Sequence, residues 1–344
     1  MTLVRLLGIE LPIIQAPMAG VQGSALALAV SSAGGLGSLP CAMLSLDAVR
    51  NELSATSQTA RPFNVNFFCH TAPAFDAERE AIWKAALSPY YRAFGIDPES
   101  IPAGPGRAPF DAEAAELLSE FKPAVVSFHF GLPSPELLTR VKKAGSKILS
   151  SATTVDEAVW LEAHGADAII AQGVEAGGHR GMFLSDDLTT QVGTLALVPQ
   201  IVQKVRVPVI AAGGIADSKG VAAAMMLGAA GVQVGTAYLL CAEATTTALH
   251  RAALKSEAAR HTAMTNVFTG RPARGIVNRV MRELGPISTA VPAFPLAASA
   301  IAPLRAHAES RGSDDFSPLW SGQNNSGCKE ISAADLTREL AADL

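Results

Sequence analysis

Charge is scarce in this 344-residue sequence: Asp, Glu, Lys and Arg make up 17% of it, against roughly 25% in an average globular protein. The 27 Lys and Arg are outnumbered by 31 Asp and Glu, giving a net charge of −4. No basic surplus exists to follow a phosphate backbone, which excludes nucleic acid as the natural partner. Cysteine is sparse as well. Cys41, Cys69, Cys241 and Cys328 lie far apart, form no C-x-x-C pair and sit in no zinc-ligand pattern, so buried free thiols in a reducing cytoplasm are expected, and no metal. Low-complexity tracts and charge blocks are missing too, which leaves no basis for a disordered tail.

Two stretches carry no charge at all, Leu11–Leu46 and Gly220–Ala242. A membrane-spanning helix needs about 20 consecutive apolar residues, and both stretches are broken up. Pro12, Pro17, Gly20, Gly23, Gly34, Gly35 and Pro40 interrupt the first, and Gly228, Gly231, Gln233 and Gly235 the second. Glu10 and Pro12 likewise break the apolar region that a secretory signal would need after Arg5. Each stretch instead fits a buried strand joined to a helix, and the chain reads as soluble and cytoplasmic.

What the chain does have is a recurring phrase: a β-rich apolar run, a Gly or Pro turn, then an Ala-rich helical pattern. The runs are Pro12–Ala16, Gly35–Leu39, Phe63–Phe67, Ala124–Phe128, Lys147–Ser151, Ala168–Gln172, Val207–Ala211 and Gly231–Gly235. Helical patterns follow most of them, among them Ser24–Ala33, Leu46–Ser57, Pro135–Ala144, Thr154–His164, Gly193–Lys204 and Ser218–Leu227. Strands apolar on both pleat faces are expected of a parallel sheet covered on both sides. Eight βα units point to a (β/α)8 barrel, although an open doubly wound sheet uses the same units. Thr71–Phe121 is too long for one crossover. Beyond Glu243 the alternation stops, so residues 1–242 are expected to form the barrel and residues 243–318, read as helix and loop, a cap over its mouth. Residues 319–344 would return to the barrel wall through a helix at Ala333–Ala342, its start marked by Ser332 and Asp335.

In such a barrel, chemistry collects at the C-terminal strand ends, and phosphate is commonly held after strands seven and eight. Gly213 and Gly214 follow the seventh run, Gly235 and Thr236 the eighth. Adjacent glycines let backbone N–H groups converge on an anion at a helix N-terminus. The segment after the sixth run, Gln172–Gly181, holds four glycines and His179 near its tip; no regular helix or strand is expected there. His179 is the candidate general base, since histidine moves protons near neutral pH. Asn66 and Gln172, polar residues in apolar strands, are either buried structural amides or hydrogen-bond partners for a heterocycle. His129, at the end of the fourth strand, is a candidate pocket residue.

These segments resemble a known family. Pro12-Ile-Ile-Gln-Ala-Pro-Met18, Phe63-Asn-Val-Asn-Phe-Phe68, Val126-Ser-Phe-His-Phe-Gly131, Ala171-Gln-Gly-Val-Glu-Ala-Gly-Gly-His-Arg-Gly181 and Ala211-Ala-Gly-Gly-Ile215 are similar to motifs of the nitronate monooxygenases, of the class I branch. Val232-Gln-Val-Gly-Thr-Ala237, Thr269-Gly-Arg271 and Trp320-Ser-Gly-Gln323 extend the likeness. The resemblance implies an FMN barrel with a substrate domain over its mouth. Met18, Asn66 and Gln172 would touch the isoalloxazine, with Gly177 and Gly178 approaching it. Gly213, Gly214, Gly235 and Thr236 would hold the phosphate, and Gln323 would reach the flavin from the C-terminal segment. His179 matches the catalytic base and His129 a pocket histidine. The implied reaction turns an alkyl nitronate, or a nitroalkane, plus O2 into a carbonyl compound and nitrite without nicotinamide, in a monomer or homodimer.

One departure stands out. Class I members carry a Tyr and a nearby Lys ahead of the W-x-G-Q motif, but Phe294–Leu304 has neither. A more apolar pocket with less positive charge is therefore expected, suited to a bulkier or less charged substrate. Three other readings compete: an FMN-dependent NAD(P)H reductase of quinones or enoyl thioesters, a flavin-free lyase or isomerase of a phosphorylated substrate, and a flavin-binding relative without this activity.

Overall fold

The computed structural model describes residues 2–57, 59–102 and 107–344. Eight parallel strands form the centre: β1 (Ile13–Gln15), β2 (Gly37–Pro40), β3 (Phe63–Phe68), β4 (Val125–His129), β5 (Lys147–Ala152), β6 (Ala168–Gln172), and, after a two-residue strand β7 (Gly178–His179), β8 (Val209–Ala212) and β9 (Gly231–Val234). They pair in the order β1-β9-β8-β6-β5-β4-β3-β2. The ends meet where Leu36 bridges Ile14 in parallel, with Leu36 N donating to Ile13 O and Gln15 N to Leu36 O, each at 2.9 Å. The result is a (β/α)8 barrel, as the eight runs predict, and the expected helices form within a residue or two of their expected bounds.

Pleat alternation explains why these strands look apolar throughout. In β6, Ile169 and Ala171 pack outward against the helices while Ala168 and Ile170 join the inner cluster. In β8, Val209 and Ala211 face out and Ile210 and Ala212 face in. The inner cluster also takes Ile14, Val125 and Leu149, together with Leu3 and Leu7 of a short helix at the chain start. Burial on both faces rewards apolar residues at every position, so the hydrophobic run replaces the alternating pattern.

Residues 243–318 are not only helix and loop. They contain β10 (Thr262–Thr265) and β11 (Ala273–Ile276), an antiparallel pair to which β7 adds as a third strand, Ala273 opposite His179. Nor do these residues pack alone. The helix Ala77–Phe94, inside the long Thr71–Phe121 insertion, packs on Ala297–Glu309. Trp83, Leu87, Tyr90 and Tyr91 are buried with Val267, Phe268, Ile301 and Leu304, so the layer is built from two separated stretches. Trp83 Nε1 donates to Ala297 O at 3.2 Å and the Tyr91 hydroxyl to Ala300 O at 2.6 Å. Part of that insertion, residues 103–106, lies outside the described residues. The C-terminal helix Ala333–Leu340 packs on the barrel wall through Ala333, Leu336 and Leu340.

Truncating Trp83 tests this two-part layer. Trp83→Ala is expected to cost about 3–5 kcal/mol, the range for a buried aromatic, read as a shift in the urea midpoint. A loss under about 1 kcal/mol would place the helix outside the core of the fold.

Candidate active site

The inward pleat positions change character along the barrel axis. At the bottom they are Ile14, Val125, Leu149 and Ile210. One or two inward positions further up they become Asn66, Ser127, His129, Ser151, Gln172 and Gln233, and these line one cavity at the C-terminal mouth. Met18 from the turn after β1, Gly213 and Gly214 after β8, Gly235 and Thr236 after β9, and Gly177, Gly178 and His179 of the loop after β6 line the same cavity. Sequence positions up to 218 residues apart (18 to 236) thus converge on one space. Gln323 is the exception among the expected residues. Its side chain is exposed and its backbone N donates to Glu175 O at 2.9 Å, while its neighbours Gly322 and Asn324 reach the cavity.

The loop after β6 is more ordered than its glycines suggest. Gln172 accepts from Gly181 N at 2.8 Å and donates through Nε2 to His179 O at 3.0 Å. Arg180, fully buried, donates to Gly173 O at 2.6 Å, Gln172 O at 2.7 Å and Gln191 Oε1 at 2.9 Å. Burial, with the nearby Arg274 adding to it, pulls its guanidinium down to about 9. Glu175 accepts from Thr194 N and Oγ1 at 2.8–3.0 Å, capping the helix Thr194–Val202 from outside. Gly177 runs so close to the C-terminal segment that a Cβ there would stand 2.5 Å from Gly322 N. The expectation of no regular structure fails at Gly178–His179, because β11 offers its edge and satisfies the backbone there. The glycines serve close approach between segments.

The hydrogen-bond pattern sets the tautomer of His129. His129 Nε2 lies 3.1 Å from His179 O and its Nδ1 3.1 Å from Ser151 Oγ. A carbonyl can only accept, so Nε2 carries the proton and Nδ1 accepts from Ser151. Burial pushes the His129 imidazole down to about 4, with Arg271 and Arg180 nearby adding to the effect. His179 Nε2 meets Thr269 Oγ1 at 2.9 Å, and that hydroxyl also reaches Arg271 O at 3.4 Å. Burial, followed by Arg107, His129, Arg271 and His70, holds His179 well below the usual histidine range, so it is neutral at pH 7.

One wall of this region is aromatic. The rings of Phe294, Trp320, Phe68 and Phe130 lie 5.4, 5.5, 6.1 and 6.1 Å from the His179 ring. Phe294, from the segment without Tyr or Lys, packs beside the His179 ring but is not among the residues that line the cavity. The expected shortage of positive charge is corrected by the structure. Arg107 lines the cavity, and Arg271 sits with its guanidinium 4.0 Å from the Phe130 ring centroid. Both come from outside residues 294–304. Arg107, Arg180, Ser127, Ser151, His70 and Trp320 received no site role from the sequence. For Ser127 the signal was there: it shares the inward parity of β4 with His129, already singled out.

A sequence profile of the family described as nitronate monooxygenase matches residues 1–343. A protein of Paraburkholderia phytofirmans named nitronate monooxygenase is 44% identical, over 99% of this chain and 94% of its own length. Its namesake from Pseudomonas aeruginosa is 42% identical over 99% and 98%. The chain belongs to the nitronate monooxygenase family. Its barrel superposes on a solved nitroalkane oxidase of Streptomyces ansochromogenes with a TM-score of 0.88 and 38% identity, covering 99% of this chain and 97% of the other. FabK of Thermotoga maritima follows at 0.73 and 27%, covering 100% and 96%. As a member of this family the protein is an oxidoreductase acting on a small molecule. Among the described residues, no helix is long and apolar enough to cross a membrane.

Two predictions follow from the histidine loop. Arg180→Met removes the donors of three buried acceptors and is expected to cost about 3 kcal/mol or more, with faster amide exchange at Gln172–Gly181. Unchanged exchange there would separate Arg180 from the loop. His129 binds protons more weakly folded, at about 4, than unfolded, near the ordinary 6.5. The unfolded state therefore takes up more protons as pH falls, and stability is lost from 6.5 down to about 4. His129→Gln should flatten that part of the stability–pH curve.

Proposed function

We propose that this protein oxidises alkyl nitronates, and nitroalkanes after removal of the α-proton, with O2 to a carbonyl compound and nitrite. The observation that carries the proposal is His179. It is a neutral imidazole, Nε2 tied to Thr269, and it shares one cavity with polar and glycine residues from the ends of β3, β4, β5, β6, β8 and β9. Family membership and the likeness to a nitroalkane oxidase support the same reading.

The nitronate monooxygenase family is flavin-dependent, and we take the flavin here to be FMN. The residues fit such a group. The N–H groups of Gly213, Gly214 and Gly235 donate to no protein acceptor among the described residues. Gly213 and Gly214 have φ of 115° and 74°, the left-handed range in which successive amides form an anion cradle. The Gln233 side-chain oxygen is buried in the cavity wall without a partner. Gly213, Gly214, Gly235 and Thr236 would hold the phosphate, and Met18, Asn66, Gln172, Gly177 and Gly178 would surround the ring. The Asn324 side chain, donating to Gly214 O at 2.9 Å, would steady the cradle where Gln323 was expected to act. When bound, the flavin supplies the electron transfer between nitronate and oxygen.

The protein's share is binding, orientation and one proton. His179 takes the α-proton of a neutral nitroalkane, a step a preformed nitronate does not need. His129 and Gln172 both donate to the His179 carbonyl and so position the ring from behind. Phe68 and Trp320, which line the cavity beside His179, keep water off the reacting carbon.

His179→Asn is expected to retain the flavin and lose about 10²- to 10⁴-fold of its rate on neutral nitroalkanes, while preformed nitronates still react. Equal loss on both substrates would remove the general-base role. With the wild type, kcat/KM on nitroalkanes is expected to stay level as pH falls through 6.5, the ordinary histidine value, because His179 remains unprotonated there. A fall centred at 6.5 would show an imidazole not held down by its surroundings.

A further inference from the structure

We propose that Arg107 is the residue that recognises the negative charge of the substrate, taking over a task that the Phe294–Leu304 segment lacks the side chains to perform. The inference rests on the nitronate reading above and names the group that would select for it. Arg107 is partly buried, lines the same cavity as His179, and has no carboxylate within 4.0 Å among the described residues. Its guanidinium stands 5.8 Å from the centroid of Phe294, whose ring is in turn 5.4 Å from that of His179. A half-desolvated cation beside the base and without a counter-ion is a site for an anionic ligand.

Its backbone is held in place. His70 Nε2 donates to Arg107 O at 2.9 Å, and Phe110 N donates to Phe68 O at 2.8 Å, tying the segment to the end of β3 at Arg107 and three residues beyond it. Arg271 is placed differently: it is absent from the cavity wall, packed on Phe130, and donates to Met182 O. The groups that act electrostatically on His179 are Arg107, His129, Arg271 and His70, and Arg107 leads them. One side chain therefore does two things. It attracts the anion that deprotonation produces, and it keeps His179 in the unprotonated form that the deprotonation requires.

Arg107→Gln in the flavin-loaded enzyme tests this. KM for a preformed nitronate is expected to rise about 10-fold or more, the loss of one charge-assisted contact, while KM for the neutral nitroalkane stays within about 2-fold. The acid limb of kcat/KM on nitroalkanes should move to higher pH, since a cation beside His179 is gone. Arg107→Lys should restore both. An equal rise in KM for both substrates, or an unmoved acid limb, overturns the proposal. Nitrate, a planar oxyanion that needs no turnover, gives a second measurement. It should shift the His179 imidazole resonances in the wild type but not in Arg107→Gln. A shift retained in the variant overturns the assignment. If the wild type binds nitrate through Arg107 yet turns over no nitronate, the anion site stands and the nitronate reading falls.

Discussion

The carbonyl oxygen of His179 is the point on which the site depends. It accepts from His129 Nε2 at 3.1 Å and from Gln172 Nε2 at 3.0 Å, one donor from the end of β4 and one from β6. Two rigid barrel strands thereby fix the backbone of the residue whose ring faces the reaction space. The other sides are closed by Arg180, which gathers the carbonyls of Gln172 and Gly173, and by β11, which pairs with Gly178–His179. A loop with four glycines would wander without these partners. With them it is as constrained as the strands beneath it.

That constraint also governs the electrostatics. Both histidines are kept neutral mainly by burial, and the nearby cations Arg107, Arg271 and Arg180 deepen the effect. Under the proposed function, a neutral imidazole among cations would suit a reaction that turns a neutral substrate into an anion, because the proton acceptor would be free beforehand and the product charge would be welcomed afterwards. The aromatic wall of Phe68, Phe130, Phe294 and Trp320 lowers the local polarity that makes these charges effective. The same wall carries the guanidiniums: Arg271 lies on Phe130 and Arg107 near Phe294.

The layer over the mouth shows how topology adds what local reading misses. Helix Ala77–Phe94 interrupts the βα rhythm between β3 and β4, and its buried residues face a helix more than 200 positions later, as the Trp83 Nε1 to Ala297 O bond records. The insertion that carries this helix also carries Arg107. The excess length of Thr71–Phe121 was visible in the sequence, but its partner was not, because nothing local in an amphipathic helix says which distant surface will cover it.

The eight strands and the turns after them were legible because burial on both faces writes a run of apolar residues that few other structures need. Parity along those strands also carried the site: Asn66, His129 and Gln172 stand out as polar residues on inward positions of apolar strands. Only tertiary structure decided the rest. It turned the Gln323 side chain outward and brought Asn324 to the cavity, ordered the glycine loop against β11, and brought Arg107 to a pocket expected to be short of positive charge. The physical reason is common to all three. A side chain's direction within a strand follows from a period of two, whereas its position in a loop depends on which distant backbone or charge comes to meet it.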